Sequence, residues 1–65
     1  MSVAKIVELT ATGPSIEEAV NEGIAKAGES LRNIRHVFID AIEAHVEDGK
    51  VSAFHVHLKL TFVIE

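Results

Sequence analysis

The sequence lacks several residue types on which small domains often depend. Its 65 residues include no cysteine, no tryptophan and no tyrosine, and only one proline. Disulfide bonds are therefore excluded, and so are a cysteine nucleophile and the cysteine-based zinc site of a zinc finger. A domain of this length must obtain its stability from another source.

Basic residues are also few. Six lysines and arginines stand against ten aspartates and glutamates, so the net charge at pH 7 is −4. This balance disfavours binding to the backbone of a nucleic acid. No apolar run approaches the roughly 20 residues of a membrane span, and the N-terminus lacks the pattern of a secretory signal. We expect a cytoplasmic protein with no nucleic-acid or membrane partner.

Apolar residues are abundant, at 48% of the chain. A domain this short buries only about 60% of the surface that its unfolded chain exposes. Ordering the chain costs roughly 1.5 kcal/mol per residue, so burial within one subunit barely offsets the lost entropy. Since disulfides are excluded, we expect a homo-oligomer whose subunit is a single domain over residues 1–65.

The N-terminal half predicts one strand and one helix. Alternating β-branched residues predict a strand over residues 3–10. Ser15 precedes Glu18 by three residues, the spacing of a capping box, so a helix should begin there. Apolar positions then recur every three or four residues as far as Leu31. Gly23 within this helix suggests a close approach by another element.

The C-terminal half predicts a long β-hairpin. Strands are expected over residues 36–46 and 51–64, and Asp48 and Gly49 between them are typical of a two-residue turn. The chain is therefore predicted to have an α+β fold, in which a three-stranded antiparallel β-α-β-β sheet wraps around one helix.

This turn predicts which residues lie opposite each other, because paired residue numbers should then sum to 97. The expected pairs are His36 with Thr61, Phe38 with Lys59, Asp40 with His57, and Ile42 with His55. Strict alternation places all eight on one mixed sheet face, where we expect subunit contacts or a ligand. His45 falls on the other parity and is expected to be solvated or to contact another subunit.

Three ordered segments carry a resemblance to a known family. They are the start "VAKIVELTATGPS-IEEAV", the helix end "AKAGESLRNIR" and the closing strand "F-HVHLKLTFVIE". Over essentially its whole length the chain resembles a dodecin. The resemblance implies a hollow cage of twelve β-α-β-β subunits that binds and sequesters flavin (riboflavin, FMN or FAD) near subunit interfaces, without enzymatic activity.

The resemblance also implies positions for flavin contacts. His36 occupies the position where flavin-binding members carry a stacking tryptophan, and His55 the position of a glutamine that contacts the flavin edge. Phe38 lies on the same predicted face as His36 and offers an alternative stacking ring. The predicted flavin-binding residues are therefore His36, Phe38 and His55.

Two alternatives remain open from the residues alone. His55 and His57 project to the same side of a strand about 6 to 7 Å apart, and Asp40 is predicted opposite His57. The first alternative is therefore a metal-binding cage in which these three residues hold a divalent ion at a subunit interface. The other alternative is a structural cage that has lost its ligand site.

Overall fold

The structure is a computed structural model that describes residues 1–64. It contains strand β1 (Ala4–Gly13), helix α1 (Ile16–Ala27), strand β2 (Ile34–Glu47) and strand β3 (Lys50–Val63). The sheet is antiparallel with strand order β1-β3-β2. The predicted fold class is confirmed. Within the described residues, no helix combines the length and apolar character needed to cross a membrane.

Helix α1 begins with the predicted capping box. The Ser15 hydroxyl oxygen accepts a hydrogen bond from the backbone N–H of Glu18 at 3.1 Å and donates one to the Glu18 carboxylate at 3.0 Å. Ser15 has an extended backbone, as an N-cap residue requires. The interaction satisfies an amide that the first helical turn leaves without a partner.

The helix ends four residues before the predicted Leu31. Its last residue is Ala27, and the backbone N–H of Gly28 donates to the Ile24 carbonyl at 2.8 Å as the C-cap. The chain then turns towards β2 through Asn33, which adopts a positive φ of 60°. Leu31 still packs against the core from this connection, which explains why its position fits the helical periodicity.

Strand β1 extends three residues beyond its predicted end at Thr10. Thr12 pairs with His55, and Gly13 pairs with Phe54. A Cβ atom on Gly13 would lie 2.9 Å from the backbone nitrogen of Ala19. Glycine therefore allows the strand to continue beneath the start of the helix.

The core lies between α1 and the central strand β3. Val56, Leu58 and Leu60 are fully buried, and they project from β3 at alternate positions towards the helix. Gly23 provides the expected close approach, since a Cβ atom there would lie 3.0 Å from Leu58 Cδ1. Besides Gly23, which is itself buried, the remaining buried residues are alanines: Ala11, Ala19 and Ala27.

The hairpin turn forms as predicted. Asp48 and Gly49 both have positive φ, 52° and 74°, as a type I′ turn requires, and Glu47 pairs with Lys50 to close it. The distant pairs His36 with Thr61 and Phe38 with Lys59 also form as predicted.

Between the turn and these distant pairs, the strand register differs from the prediction because the hairpin contains β-bulges. One bulge inserts Asp40 into β2, so Ala41 lies opposite His57 and Glu43 lies opposite His55. The predicted pairs of Asp40 with His57 and Ile42 with His55 are therefore wrong.

A second bulge lies nearer the turn. It falls between the pairs His45–Ala53 and Val46–Val51, which leaves Ser52 as the extra residue on β3. Since each bulge adds one residue to a different strand, their effects on register cancel. The pairs from His36 to Ile39 thus agree with the turn, and the stretch between the two bulges is displaced by one residue. A further register shift lies at the far end of the hairpin, between Ile34 and His36.

Strand β2 lies at the edge of the sheet and is mostly uncovered. Of its 14 residues, all except Ile34 and Val37 are exposed. The exposed residues include the apolar Ile39, Ile42 and Val46. Helix α1 packs mainly over β1 and β3, so it provides little cover for this strand.

Candidate functional site

The candidate site lies on the sheet face opposite the helix, which we call the histidine face because His55 and His57 project from it. These residues alternate along β3 with the buried side chains, so they point away from the core. On the β1 side they lie opposite Thr12 and Thr10, respectively.

His57 is held by hydrogen bonds on both sides. Its Nδ1 lies 3.0 Å from the Thr10 hydroxyl oxygen, and its Nε2 lies 2.9 Å from Glu43 Oε1. An ionised carboxylate only accepts, so the Nε2–H donates to Glu43, and Nδ1 of the neutral ring accepts from the Thr10 hydroxyl. The resulting Thr10–His57–Glu43 chain crosses all three strands.

The pKa of Glu43 is lowered from its ordinary value of 4.5. The main cause is the hydrogen bond from His57, followed by the positive charge that His57 can carry, with a smaller contribution from His55. Desolvation acts in the opposite direction but does not reverse the shift. Glu43 is therefore ionised at neutral pH.

His55 has a different environment. Its Nδ1 lies 3.1 Å from the Thr12 hydroxyl oxygen, and its ring contacts the His45 ring edge-to-face, with centroids 5.9 Å apart and planes at 75°. His45 Nε2 also lies 3.9 Å from Glu47 Oε2. The histidine face thus contains a second row of side chains, Thr12–His55–His45, beside the first.

Sequence reasoning missed Glu43 and His45 because it extended strict alternation through Asp40. The bulge brings both residues onto the histidine face and moves Ile42 to the other side. One signal was available in the sequence. Under strict alternation Ile42 shares a face with polar residues while Glu43 points towards the core side, and a bulge after Ile39 removes both conflicts.

The structure does not support the predicted metal site at His55, His57 and Asp40. Asp40 is the extra residue of a bulge and does not pair with His57. Both ring nitrogens of His57 already have hydrogen-bond partners. Across residues 1–64, no group of three histidine, aspartate or glutamate side chains has an arrangement that could hold a metal ion.

The residues predicted to contact flavin lie in two places on the histidine face. His36 and Phe38 are neighbours on β2, opposite Thr61 and Lys59, and Phe38 is 60% exposed. His55 lies four residues from Lys59 along β3, a distance of about 13 Å at the rise of a strand. One subunit therefore brings His36 and Phe38 together but leaves His55 apart from them.

Comparison with known proteins agrees with this architecture. The family model described as Dodecin matches residues 3–65. The chain belongs to the dodecin family. The family membership predicted from the sequence segments is thus confirmed. A search of the curated proteins found no match.

Solved dodecin structures superpose closely on the chain. The dodecin from Streptomyces coelicolor is 28% identical, with a TM-score of 0.91 over 98% of this chain and 93% of that one. A Thermus thermophilus protein is 27% identical, with a TM-score of 0.93 over 100% and 97%. A Thermus thermophilus dodecin variant in which phenylalanine replaces a tryptophan is also 27% identical, with a TM-score of 0.92 over 100% and 98%.

Proposed function

We propose that this dodecin assembles into a hollow cage of twelve subunits that binds and sequesters flavin between subunits, as a binding protein rather than an enzyme. The observation that carries the proposal is the uncovered apolar surface of strand β2, together with a 60% exposed phenylalanine ring, Phe38, on the histidine face.

The dimensions of the subunit support assembly. Its accessible surface is 4779 Å², whereas a monomer of 7.0 kDa normally exposes about 4,000 Å². Its radius of gyration is 13.4 Å, compared with about 11 Å for a compact domain of this length. The subunit is a plate with extents of 51 × 20 × 13 Å. Contacts with further copies would cover the surface that one subunit leaves open.

The exposed apolar residues of β2 would form part of those contacts. Ile39, Ile42 and Val46 are 42%, 45% and 57% exposed. The bulge at Asp40 keeps Ile39 and Ile42 on the same side of the strand, because it changes the alternation between them. Covering such residues stabilises an assembly in proportion to the apolar area removed from water.

The histidine face has the chemistry to hold a planar ring. Phe38 offers an aromatic surface for offset stacking, and the His36 imidazole next to it on the same face offers a smaller one. His55 offers a ring nitrogen for a hydrogen bond to the edge of the ligand. Because His55 lies about 13 Å from this stacking region in its own subunit, a complete site would combine residues from neighbouring subunits.

The proposed mechanism is enclosure. A flavin stacked on an aromatic ring loses fluorescence and is shielded from reactions in bulk water. Storage of this kind requires correct placement of the ligand, and no step requires a nucleophile or a general base. This account is consistent with a site composed of an aromatic ring and hydrogen-bonding side chains.

The test is a riboflavin fluorescence-quenching titration on the purified assembly, with the molecular mass determined in the same sample. We expect a species of twelve subunits that quenches riboflavin. Phe38→Leu should preserve the mass and abolish most of the quenching, whereas Phe54→Leu, the same change on the helix side of β3, should leave quenching intact.

Each result has a clear meaning. Equal quenching in wild type and Phe38→Leu would exclude Phe38 as the stacking ring. A large assembly that quenches no flavin would support the alternative of a structural cage without a ligand. A monomeric wild-type protein would contradict the proposal as a whole.

A further inference from the structure

His55 and His57, the two histidines of the central strand β3, differ in how many of their ring nitrogens have a hydrogen-bond partner. His57 uses both, one with Thr10 and one with Glu43. His55 uses only Nδ1, which contacts Thr12, and within residues 1–64 its Nε2 has no hydrogen-bond partner. Of these two residues, His55 is therefore the one that can offer a ring nitrogen to a ligand without breaking an existing bond.

We propose that Thr12 and His45 are positioning residues that hold the His55 ring so that Nε2 forms a single hydrogen bond to the edge of a planar heteroaromatic ligand. This inference rests on the proposed flavin-binding function, because it concerns the ligand edge in the same site. Thr12 acts from β1 through a hydrogen bond of 3.1 Å, and His45 acts from β2 through edge-to-face contact.

The Thr12 hydroxyl makes the polarity of Nε2 adjustable. When the hydroxyl donates to Nδ1, the proton of the neutral ring is on Nε2, which then donates to a ligand carbonyl. When the hydroxyl accepts from Nδ1–H, Nε2 carries no proton and accepts a hydrogen bond from a ligand N–H. A glutamine amide, by contrast, presents a donor and an acceptor at the same time. The site therefore suits a ring edge contacted at one atom, which can be either a carbonyl or an N–H group.

The matching hydroxyls on β1 allow a controlled test. Thr12→Val and Thr10→Val each remove one hydroxyl while keeping a β-branched side chain suited to a strand. We expect Thr12→Val to change the ¹⁵N chemical shift of His55 Nδ1 in the ligand-free protein and to leave the His57 shifts in place. Thr10→Val should change the His57 shifts and leave the His55 Nδ1 shift in place.

Riboflavin binding supplies the second measurement. Thr12→Val should raise the dissociation constant of riboflavin about fivefold, the typical effect of losing one supporting hydrogen bond. His45→Ala should raise it at least about twofold, because it removes the edge-to-face contact with the His55 ring. Thr10→Val should leave it unchanged, since Thr10 contacts His57.

The two measurements separate the possible failures. An unchanged His55 Nδ1 shift in Thr12→Val would refute the positioning role. Equal losses of riboflavin affinity in Thr10→Val and Thr12→Val would refute the specific role of His55 as the ligand partner. Absence of riboflavin binding by the wild type would refute the flavin function and the ligand contact, while a shift change confined to Thr12→Val would still support the positioning of the ring.

Discussion

Strands β2 and β3 have the same length, 14 residues each, but very different surroundings. β3 is central, and its side chains at alternate positions are buried beneath the helix. β2 lies at the edge, and nearly all of its residues are exposed. The difference indicates that β3 is stabilised by contacts within one chain, whereas the apolar residues of β2 gain little from such contacts. Under the proposed function, other subunits cover them.

The irregularities of the edge strand have a consequence for assembly. A regular exposed strand invites pairing with any other chain, and bulges and charged residues reduce that tendency. β2 contains the bulge at Asp40, and a second irregularity lies between Ile34 and His36. In the proposed assembly, these features would restrict how another subunit can approach the strand.

The largest predicted effect tests whether side chains of β3 contribute more to the stability of one subunit than side chains of β2 do. Leu58 and Ile39 pair across the strands, and they are 1% and 42% exposed. Leu58→Ala should reduce the free energy of unfolding by about 3 kcal/mol, because it removes a core side chain and leaves a cavity. Denaturant unfolding of the wild type and the variant measures this loss.

Ile39→Ala is the matched control. It should cost well under half as much in the free energy of unfolding at concentrations where subunits are dissociated, because Ile39 is partly in contact with water. Its cost should increase with protein concentration if assembly covers the residue. If both variants lost the same free energy of unfolding under dissociating conditions, β2 and β3 would not differ in how much they stabilise one subunit.

A smaller effect is expected at the proposed ligand region of β2, which contains His36 and Phe38. His36→Trp should tighten flavin binding about tenfold, because an indole offers a larger stacking surface than an imidazole, and aromatic pairs contribute about 0.5 to 1.5 kcal/mol. His36→Leu, which is apolar but has no ring, should not produce this gain. A titration in which both variants bind like the wild type would show that position 36 does not contact the ring.

The smallest effect concerns the link between β2 and β3 through Glu43. Because the pKa of Glu43 is lowered in the folded protein, its contribution to stability is present above the ordinary pKa of 4.5 and is lost as the pH falls through the folded value. Glu43→Gln should therefore be less stable than the wild type at pH 7, with the difference disappearing in acid. Unfolding at pH 7 and at pH 3 measures it.

The cause of this shift can be checked separately. In His57→Gln the imidazole that lowers the pKa of Glu43 is absent, so that pKa should return towards 4.5 in a carboxyl ¹³C titration. A titration curve identical to that of the wild type would show that His57 is not responsible.

Local sequence patterns predicted the elements that depend on neighbouring residues. The Ser15 and Glu18 capping box forms as predicted, and Asp48 and Gly49 make the expected turn. These features could be predicted because they involve residues only a few positions apart. The end of α1 was predicted less accurately. Leu31 fits the helical period, but it reaches the core from the connection after Gly28.

The arrangement of the site was only partly predictable. His55 and His57 lie on one face as alternation requires, and His36 and Phe38 share that face. Glu43 and His45 could not be placed by alternation, because the bulge at Asp40 exchanges the faces of the β2 residues that follow it. Their contacts with His57 and His55 thus depend on an insertion whose sequence signal is indirect, namely the conflicts that strict alternation creates at Ile42 and Glu43.

By itself, the sequence determined the β-α-β-β order, the helix cap, the hairpin turn and the family, because these depend on periodicity, short-range hydrogen bonding and ordered segments. Only the tertiary structure decided which side chains meet on the histidine face. The physical reason is that the sheet side-chain period is two residues, so one extra residue at Asp40 exchanges the two faces of the strand. The bulge replaced the expected aspartate with Glu43 as the partner of His57, and it brought His45 onto the ring of His55.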